Sequence, residues 1–138
     1  MRASYLLRVL VRSAVLSGLL LGSGCRGDGA LPDSPYRLDL SISPTPPAVG
    51  PARLIITLTD SAGSPVEGAE IVVEGNMSHA GMVPVIDTAQ AEDPGRYGIN
   101  DFTFTMAGDW VLTTRGVLPD GDSVIAETAT NVVGRVGG

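Results

Sequence analysis

The chain is poor in cysteine, histidine and aromatic residues, and it has no lysine. Its 138 residues include one cysteine and one histidine, and aromatic residues make up 4%. A single cysteine cannot form a disulfide within the chain or supply a multi-cysteine zinc or iron–sulfur site. A single histidine excludes every site that needs two imidazoles. No G-x-S-x-G elbow or phosphate-binding loop is present. The sequence therefore predicts one domain without catalytic activity.

The net charge argues against nucleic acid as a partner. The formal charge is −6, with 15 acidic residues against nine arginines. Binding to nucleic acid depends on clustered basic side chains that release counterions from phosphates. We therefore expect no nucleic-acid partner.

The first 25 residues have the pattern of a secretion signal. Arg2, Arg8 and Arg12 precede an apolar and small-residue segment, 13–24, which leads directly to Cys25. This segment is shorter than the ~20 apolar residues that span a bilayer, and its order matches a cleavable signal peptide. Cys25 at its end resembles the lipobox cysteine of bacterial lipoproteins, although Gly22 stands where a larger aliphatic residue is usual. The alternative is an ordinary signal peptide followed by a spare thiol.

Three segments follow from this interpretation. Residues 1–24 are predicted to be the signal peptide, 25–35 a flexible tether after a lipidated Cys25, and 36–138 the folded domain. Without the leader, six arginines and 15 acidic residues remain, a charge of about −9. The expected location is the cell envelope, on the periplasmic face of the outer membrane if the host is Gram-negative.

The rest of the chain has the apolar period of β-strands. Side chains alternate between apolar and polar in short segments that glycine and proline separate, and no segment has a convincing helical period. The predicted strands cover 36–42, 54–59, 70–74, 83–91, 96–106, 110–117 and 123–133. This spacing favours an immunoglobulin-like β-sandwich of about seven strands. Its core anchors are expected to be Tyr97, Phe102, Phe104 and Trp110.

The soft metal ligands are concentrated in one predicted loop, residues 75–82. Met77, His79 and Met82 lie within six residues of one another, and Met106 ends the predicted strand that carries Phe102 and Phe104. Strand alternation would place Met106 on the same face as these two aromatic residues. Thioethers are good ligands for Cu(I), and imidazole also binds copper. The four residues are therefore a candidate copper site.

Two further observations bear on this candidate. Gly75 and Gly81 flank the ligands, and glycine would let one loop fold until its side chains converge. The alternative is that Met77 and Met82 cap the open end of the sandwich, in which case His79 is a surface residue.

Three short motifs follow one another along the chain: Met-Ser-His-Ala-Gly-Met at 77–82, Pro-Gly-Arg-Tyr at 94–97 and Phe-Thr-Met-Ala-Gly-Asp-Trp at 104–110. In this order they resemble the YtkA-like domain family, which is related to FixH-type proteins. Each motif is weak alone, whereas their order and spacing together are fairly specific. The matching stretch covers about residues 36–133.

The resemblance implies an exported β-sandwich that takes part in copper handling or in the assembly of copper-containing respiratory oxidases. It carries the family's ligands over to Met77, His79 and Met82, with Met106 as a possible fourth. FixH proteins have a membrane helix, whereas this chain has a lipobox-like Cys25, and this difference weakens the oxidase-assembly role. The expected partners are the membrane, through Cys25, and another envelope protein or a copper-dependent oxidase. The alternative is a metal-free interaction module that docks on another envelope protein.

Overall fold

Seven β-strands form the folded part of the chain, which the computed structural model describes over residues 34–79 and 81–135. The strands are β1 (Tyr36–Ser43), β2 (Gly50–Asp60), β3 (Glu70–Met77), β4 (Val85–Asp93), β5 (Arg96–Phe104), β6 (Gly108–Val117) and β7 (Ser123–Val132). Within the described ranges, no helix is long and apolar enough to cross a membrane. The predicted signal peptide, Cys25 and the tether up to residue 33 lie outside the described residues.

The strands form because apolar side chains recur at every second position and can be buried on one face. In β2 the inward residues Leu54, Ile56 and Leu58 are fully buried, while Arg53 before them and Thr57 between the last two are exposed. β1 has the same alternation more weakly, with half-buried apolar residues between exposed polar ones. The two strands pair antiparallel along their whole common length, from Tyr36 opposite Asp60 to Ser43 opposite Arg53.

The strand order is that of an immunoglobulin-like sandwich. Pairing runs β1-β2-β5-β4-β3-β6-β7, and every named pair is antiparallel. One sheet is β1-β2-β5-β4 and the other is β3-β6-β7, which is the division of a seven-stranded constant-type immunoglobulin domain. β4 joins the two sheets, because 85–89 pair with β3 and 90–93 pair with β5. The predicted fold class is therefore confirmed.

The core lies between the two sheets and is built from both. Its largest fully buried side chains are Trp110, Phe102, Phe104, Leu54, Ile56, Leu58, Ile71 and Leu112. The ring of Phe104 makes edge-to-face contacts with Phe102 and Trp110, at centroid distances of 5.3 and 5.2 Å. Such contacts are favourable beyond the area they bury. All four predicted anchors, including Tyr97, are buried, so this prediction is confirmed.

Several predicted strand boundaries are wrong by one to four residues, and two of these errors bear directly on the candidate site. β3 continues to Met77, three residues beyond the predicted end at Glu74, because residues 75–77 pair with β6. β5 ends at Phe104, two residues before the predicted end at Met106. In both cases the pairing of neighbouring strands, which no local pattern encodes, sets the boundary.

Candidate functional site

Three chain segments meet at one end of the sandwich, which we call the methionine end. They are the last residues of β3, the β3–β4 connection and the β5–β6 turn, residues 77–84 and 105–107. Met77 pairs with Trp110 at the start of β6, and the Ser78 amide donates a hydrogen bond to the Asp109 carbonyl oxygen at 3.1 Å. This bond continues the β3–β6 ladder by one residue. It therefore holds the start of the β3–β4 connection beside the β5–β6 turn.

Met77 lies in strand β3, and the prediction that it belongs to a loop is wrong. Its side chain is half-buried and packs against the core. The Met77 Cε atom reaches the β5–β6 turn, since it lies 3.2 Å from the position that a Cβ atom on Gly108 would occupy. The thioether is thus held between the core and the turn that carries Met106.

The two flanking glycines have different structural roles. Gly81 has a φ of +86°, a left-handed conformation that glycine adopts without strain. Gly75 instead lies within β3, where a Cβ atom would come 2.8 Å from Cζ of Phe102. The predicted use of glycine to bend the loop therefore agrees with the backbone at Gly81. At Gly75 the lack of a side chain makes room for an aromatic ring.

His79 and Met82 lie in the β3–β4 connection and are exposed; Ala80 between them is outside the described residues. Met82 is 36% exposed, and Val83 beside it is 82% exposed. Exposed thioethers are unusual, because methionine normally fills gaps in a core. These two side chains have the solvent access that an exchangeable ligand needs.

Met106 is also exposed, and the prediction that it shares a face with Phe102 and Phe104 is wrong. Both phenylalanines are fully buried, whereas Met106 is 49% exposed because β5 ends before it. The turn is fixed by a hydrogen bond from the Trp110 indole Nε1 to the Met106 carbonyl oxygen at 3.0 Å. The backbone of Met106 is therefore anchored to the core while its side chain faces solvent.

The methionine end collects the soft donors of the described chain. Its three methionines and its one histidine are Met77, His79, Met82 and Met106. In residues 34–79 and 81–135, no three His, Cys, Asp or Glu side chains are grouped so that they could hold a metal ion. A carboxylate does lie close by: Asp109 Oδ1 accepts a hydrogen bond from Asn131 at 2.7 Å. The chemistry offered here is that of three thioethers and one imidazole, with one carboxylate nearby.

The opposite end of the sandwich has a cavity that sequence reasoning missed. It measures about 200 Å³ and is lined by Glu67, Gly68, Tyr97 and residues 91–94. The Tyr97 hydroxyl donates to the Val66 carbonyl oxygen at 2.9 Å and accepts from the Ala69 amide at 3.1 Å, which fixes the β2–β3 loop. No sequence signal marks this cavity, because it depends on how that loop lies against the β4–β5 turn.

Tyr36 connects β1 to the β6–β7 turn at that same end. Its hydroxyl donates to Asp120 Oδ2 at 3.4 Å. Loss of solvent, followed by the negative charge of Asp120, raises the pKa of Tyr36. Asp120 and Asp122 form a tight turn, in which the Asp122 amide donates to Asp120 Oδ1 at 3.0 Å, as expected for a hairpin connection.

Fold and site together define an immunoglobulin-like β-sandwich with its thioether and imidazole donors at one end. The profile of the YtkA-like family matches residues 32–115, and the chain belongs to that family. A search of curated protein sequences gives no match.

Two solved structures share the strand arrangement in part. CopC from Methylosinus trichosporium OB3b is 18% identical, with a TM-score of 0.49, over 74% of this chain and 97% of CopC. Murine CRIg is 15% identical, with a TM-score of 0.41, over 72% of this chain and 98% of CRIg.

Proposed function

We propose that the chain binds copper as cargo at the methionine end and passes it to a partner in the cell envelope. The ligands are Met77, His79 and Met82, with Met106 as the fourth. One observation carries the proposal: strand β3, the β3–β4 connection and the β5–β6 turn bring every methionine and histidine of the described residues to one end. A sandwich needs no thioethers at an exposed end for its stability, so a ligand role explains their position.

The donor chemistry favours reduced copper. Thioether sulfur is a soft ligand that selects Cu(I), and imidazole binds copper as well. Met77 is half-buried and held by packing, whereas Met82 and Met106 are exposed. We therefore expect Met77 to define the inner side of the site and the two exposed methionines to exchange copper with an incoming ligand.

The location supports a role in transfer between envelope proteins. We propose that residues 1–24 direct export, that Cys25 carries a lipid anchor and that residues 25–35 tether the domain to the membrane. The charge of about −9 after loss of the leader would attract cations. The partner is another envelope protein or a copper-dependent oxidase, and the proposed role includes no catalytic step.

A competition titration tests the ligand set. The full chain is titrated with Cu(I) in the presence of a chromophoric Cu(I) chelator, and the dissociation constant is compared with that of a variant carrying Met77→Leu, His79→Asn and Met82→Leu. Leucine conserves the volume of methionine, so the fold should persist. We expect the triple variant to bind Cu(I) more weakly by orders of magnitude.

Two further variants make the titration specific. Val83→Leu changes the same connection without removing a donor, and it should leave the affinity unchanged. Met106→Leu alone should weaken binding less than the triple change, because three ligands remain. If the triple variant bound Cu(I) as tightly as the original chain, the proposed ligand set would be wrong.

A metal-free docking role is the second candidate. It is favoured by the exposure of Met82, Val83 and Met106, which places three large apolar side chains at one end of the domain. On this hypothesis the triple variant and the original chain give the same weak response to Cu(I). The titration therefore separates the two candidates.

A further inference from the structure

The outer surfaces of the two sheets differ in chemical character. On the β1-β2-β5-β4 sheet, the exposed side chains include all three ion pairs of the described residues: Arg37–Asp39, Arg53–Glu92 and Arg96–Glu92. This surface is charged, its charges are matched, and it is suited to contact with water.

The outer face of the β3-β6-β7 sheet is more apolar. Alternate residues of β3, β6, β7 and the first half of β4 project from it, opposite one another in register: Glu70, Val72, Glu74, Asn76, Ile86, Thr88, Val111, Thr113, Arg115, Val117, Ser123, Ile125, Glu127 and Ala129. The described residues include six exposed large hydrophobic side chains. Three of them, Ile86, Val117 and Ile125, lie on this face, and the other three lie at the methionine end.

The charges on this face are arranged differently from those on the other sheet. Arg115 is exposed and belongs to none of the three ion pairs, and neither does Glu74 or Glu127. A shallow depression of about 140 Å³ lies between Val72, Glu74, Thr113 and Arg115. Within residues 34–79 and 81–135, Arg115 has no acidic partner at ion-pair distance, and arginine is enriched in protein interfaces.

The register places Arg115 where it can face two of the acidic residues of a second copy. Glu74 and Glu127 both lie opposite Thr113, one on each side, so the three residues form a row across the sheet. Arg115 is two residues further along β6 and lies between Val72 and Ile125. Two copies can pack with these faces against each other, related by a two-fold axis that lies in the interface plane and runs perpendicular to the strands. When this axis crosses β6 between Thr113 and Arg115, the Arg115 of each copy lies over the Glu74–Thr113–Glu127 row of the other.

We propose that this face is the contact surface of a symmetric homodimer, in which Arg115 of each copy pairs with Glu74 and Glu127 of the other. Strands β3, β6 and β7, of eight to ten residues, and the first half of β4 are spaced about 4.8 Å apart and together offer roughly 500 Å² per copy. A standard stable interface buries about 800 Å² per partner. The dimer is therefore weak and concentration-dependent. It leaves the methionine end open, so it is independent of copper binding.

Sedimentation velocity of the full chain, from micromolar to millimolar concentration, tests the proposal. We expect the average mass to rise toward twice that of one chain, and Arg115→Glu to abolish this rise. Arg37→Glu is the matched control, because it makes the same change of charge on the opposite sheet. It should leave association intact, and far-ultraviolet circular dichroism should show both variants folded.

A charge exchange distinguishes a specific pairing from a general effect of charge. One copy carries Arg115→Glu and the other carries Glu74→Arg with Glu127→Arg. Neither should associate with itself, because like charges then face each other, whereas an equal mixture should restore dimers. A chain that stays single at every concentration would overturn the proposal. So would equal effects of Arg115→Glu and Arg37→Glu, or a mixture that stays dissociated.

Discussion

Replacing Gly75 with alanine tests how tightly the aromatic cluster supports the methionine end. An added Cβ atom would lie 2.8 Å from Cζ and 3.3 Å from Cε1 of Phe102, and 3.3 Å from Cε3 of Trp110. Ordinary carbon–carbon contacts are about 3.5–4.0 Å, so the Phe102 ring must move by at least about 0.7 Å. It has little room, because Phe102, Phe104 and Trp110 are all buried and pack edge to face.

The magnitude follows from two opposing contributions. Overpacking a well-filled core costs about 1–3 kcal/mol. Exchanging glycine for alanine inside a strand returns about 0.5–1 kcal/mol, because the unfolded chain loses conformational freedom. The free energy of unfolding of Gly75→Ala should therefore fall by about 0.5–2 kcal/mol. Urea denaturation followed by the fluorescence of Trp110, the one tryptophan of the chain, measures this change.

A double-mutant cycle identifies the cause. Phe102→Leu removes the ring that obstructs the new methyl group, and it should itself cost about 1–2 kcal/mol. In that background Gly75→Ala should cost little, which gives a coupling energy on the order of 1 kcal/mol. If the two effects simply add, or if Gly75→Ala is as stable as the original chain, the packing argument is wrong.

Three further predictions concern stability. Gly95→Ala should lower the free energy of unfolding, measured by urea denaturation, by about 2–5 kcal/mol, because φ is +68° and the new Cβ would lie 2.8 Å from the Leu58 carbonyl oxygen. The control is Gly121→Ala, at φ +93° with no atom within 4 Å, which should lower it by only about 1–2 kcal/mol. Tyr97→Phe should lower the free energy of unfolding by about 1–3 kcal/mol and speed hydrogen exchange at the Ala69 amide, because the two hydrogen bonds of the Tyr97 hydroxyl disappear. Thr114→Val should raise the melting temperature slightly, since the buried Thr114 hydroxyl has no partner within residues 34–79 and 81–135; a clear fall would contradict this.

The fold could be predicted from the sequence because its strands alternate clearly. Leu54, Ile56 and Leu58 are separated by residues that face away from the core, and this period of two survives in the structure. The sharing of β4 between the two sheets could not be predicted. It depends on the pairing of 85–89 with β3 and of 90–93 with β5, which contacts between distant parts of the chain decide.

For the candidate site, the sequence predicted which residue types lie together, but not the environment of each residue. The concentration of methionine and histidine in residues 77–82 identified the end of the sandwich where the soft donors lie. The different environments of Met77 and Met106 could not be predicted, because strand pairing decides them. Residue 77 still pairs with Trp110, whereas β5 has already ended before residue 106.

This difference in burial changes what a copper site at the methionine end would require. Four donors in one mobile loop would bind a metal only after the loop ordered around it, and the lost freedom would weaken binding. Here Met77 is already fixed by β3 and by packing, and the backbone of Met106 is fixed by the Trp110 indole. Only the segment with His79 and Met82 is left to adjust. With two donors positioned in advance, such a site would need less ordering to bind copper, and its two exposed methionines would allow release, which would favour transfer over storage.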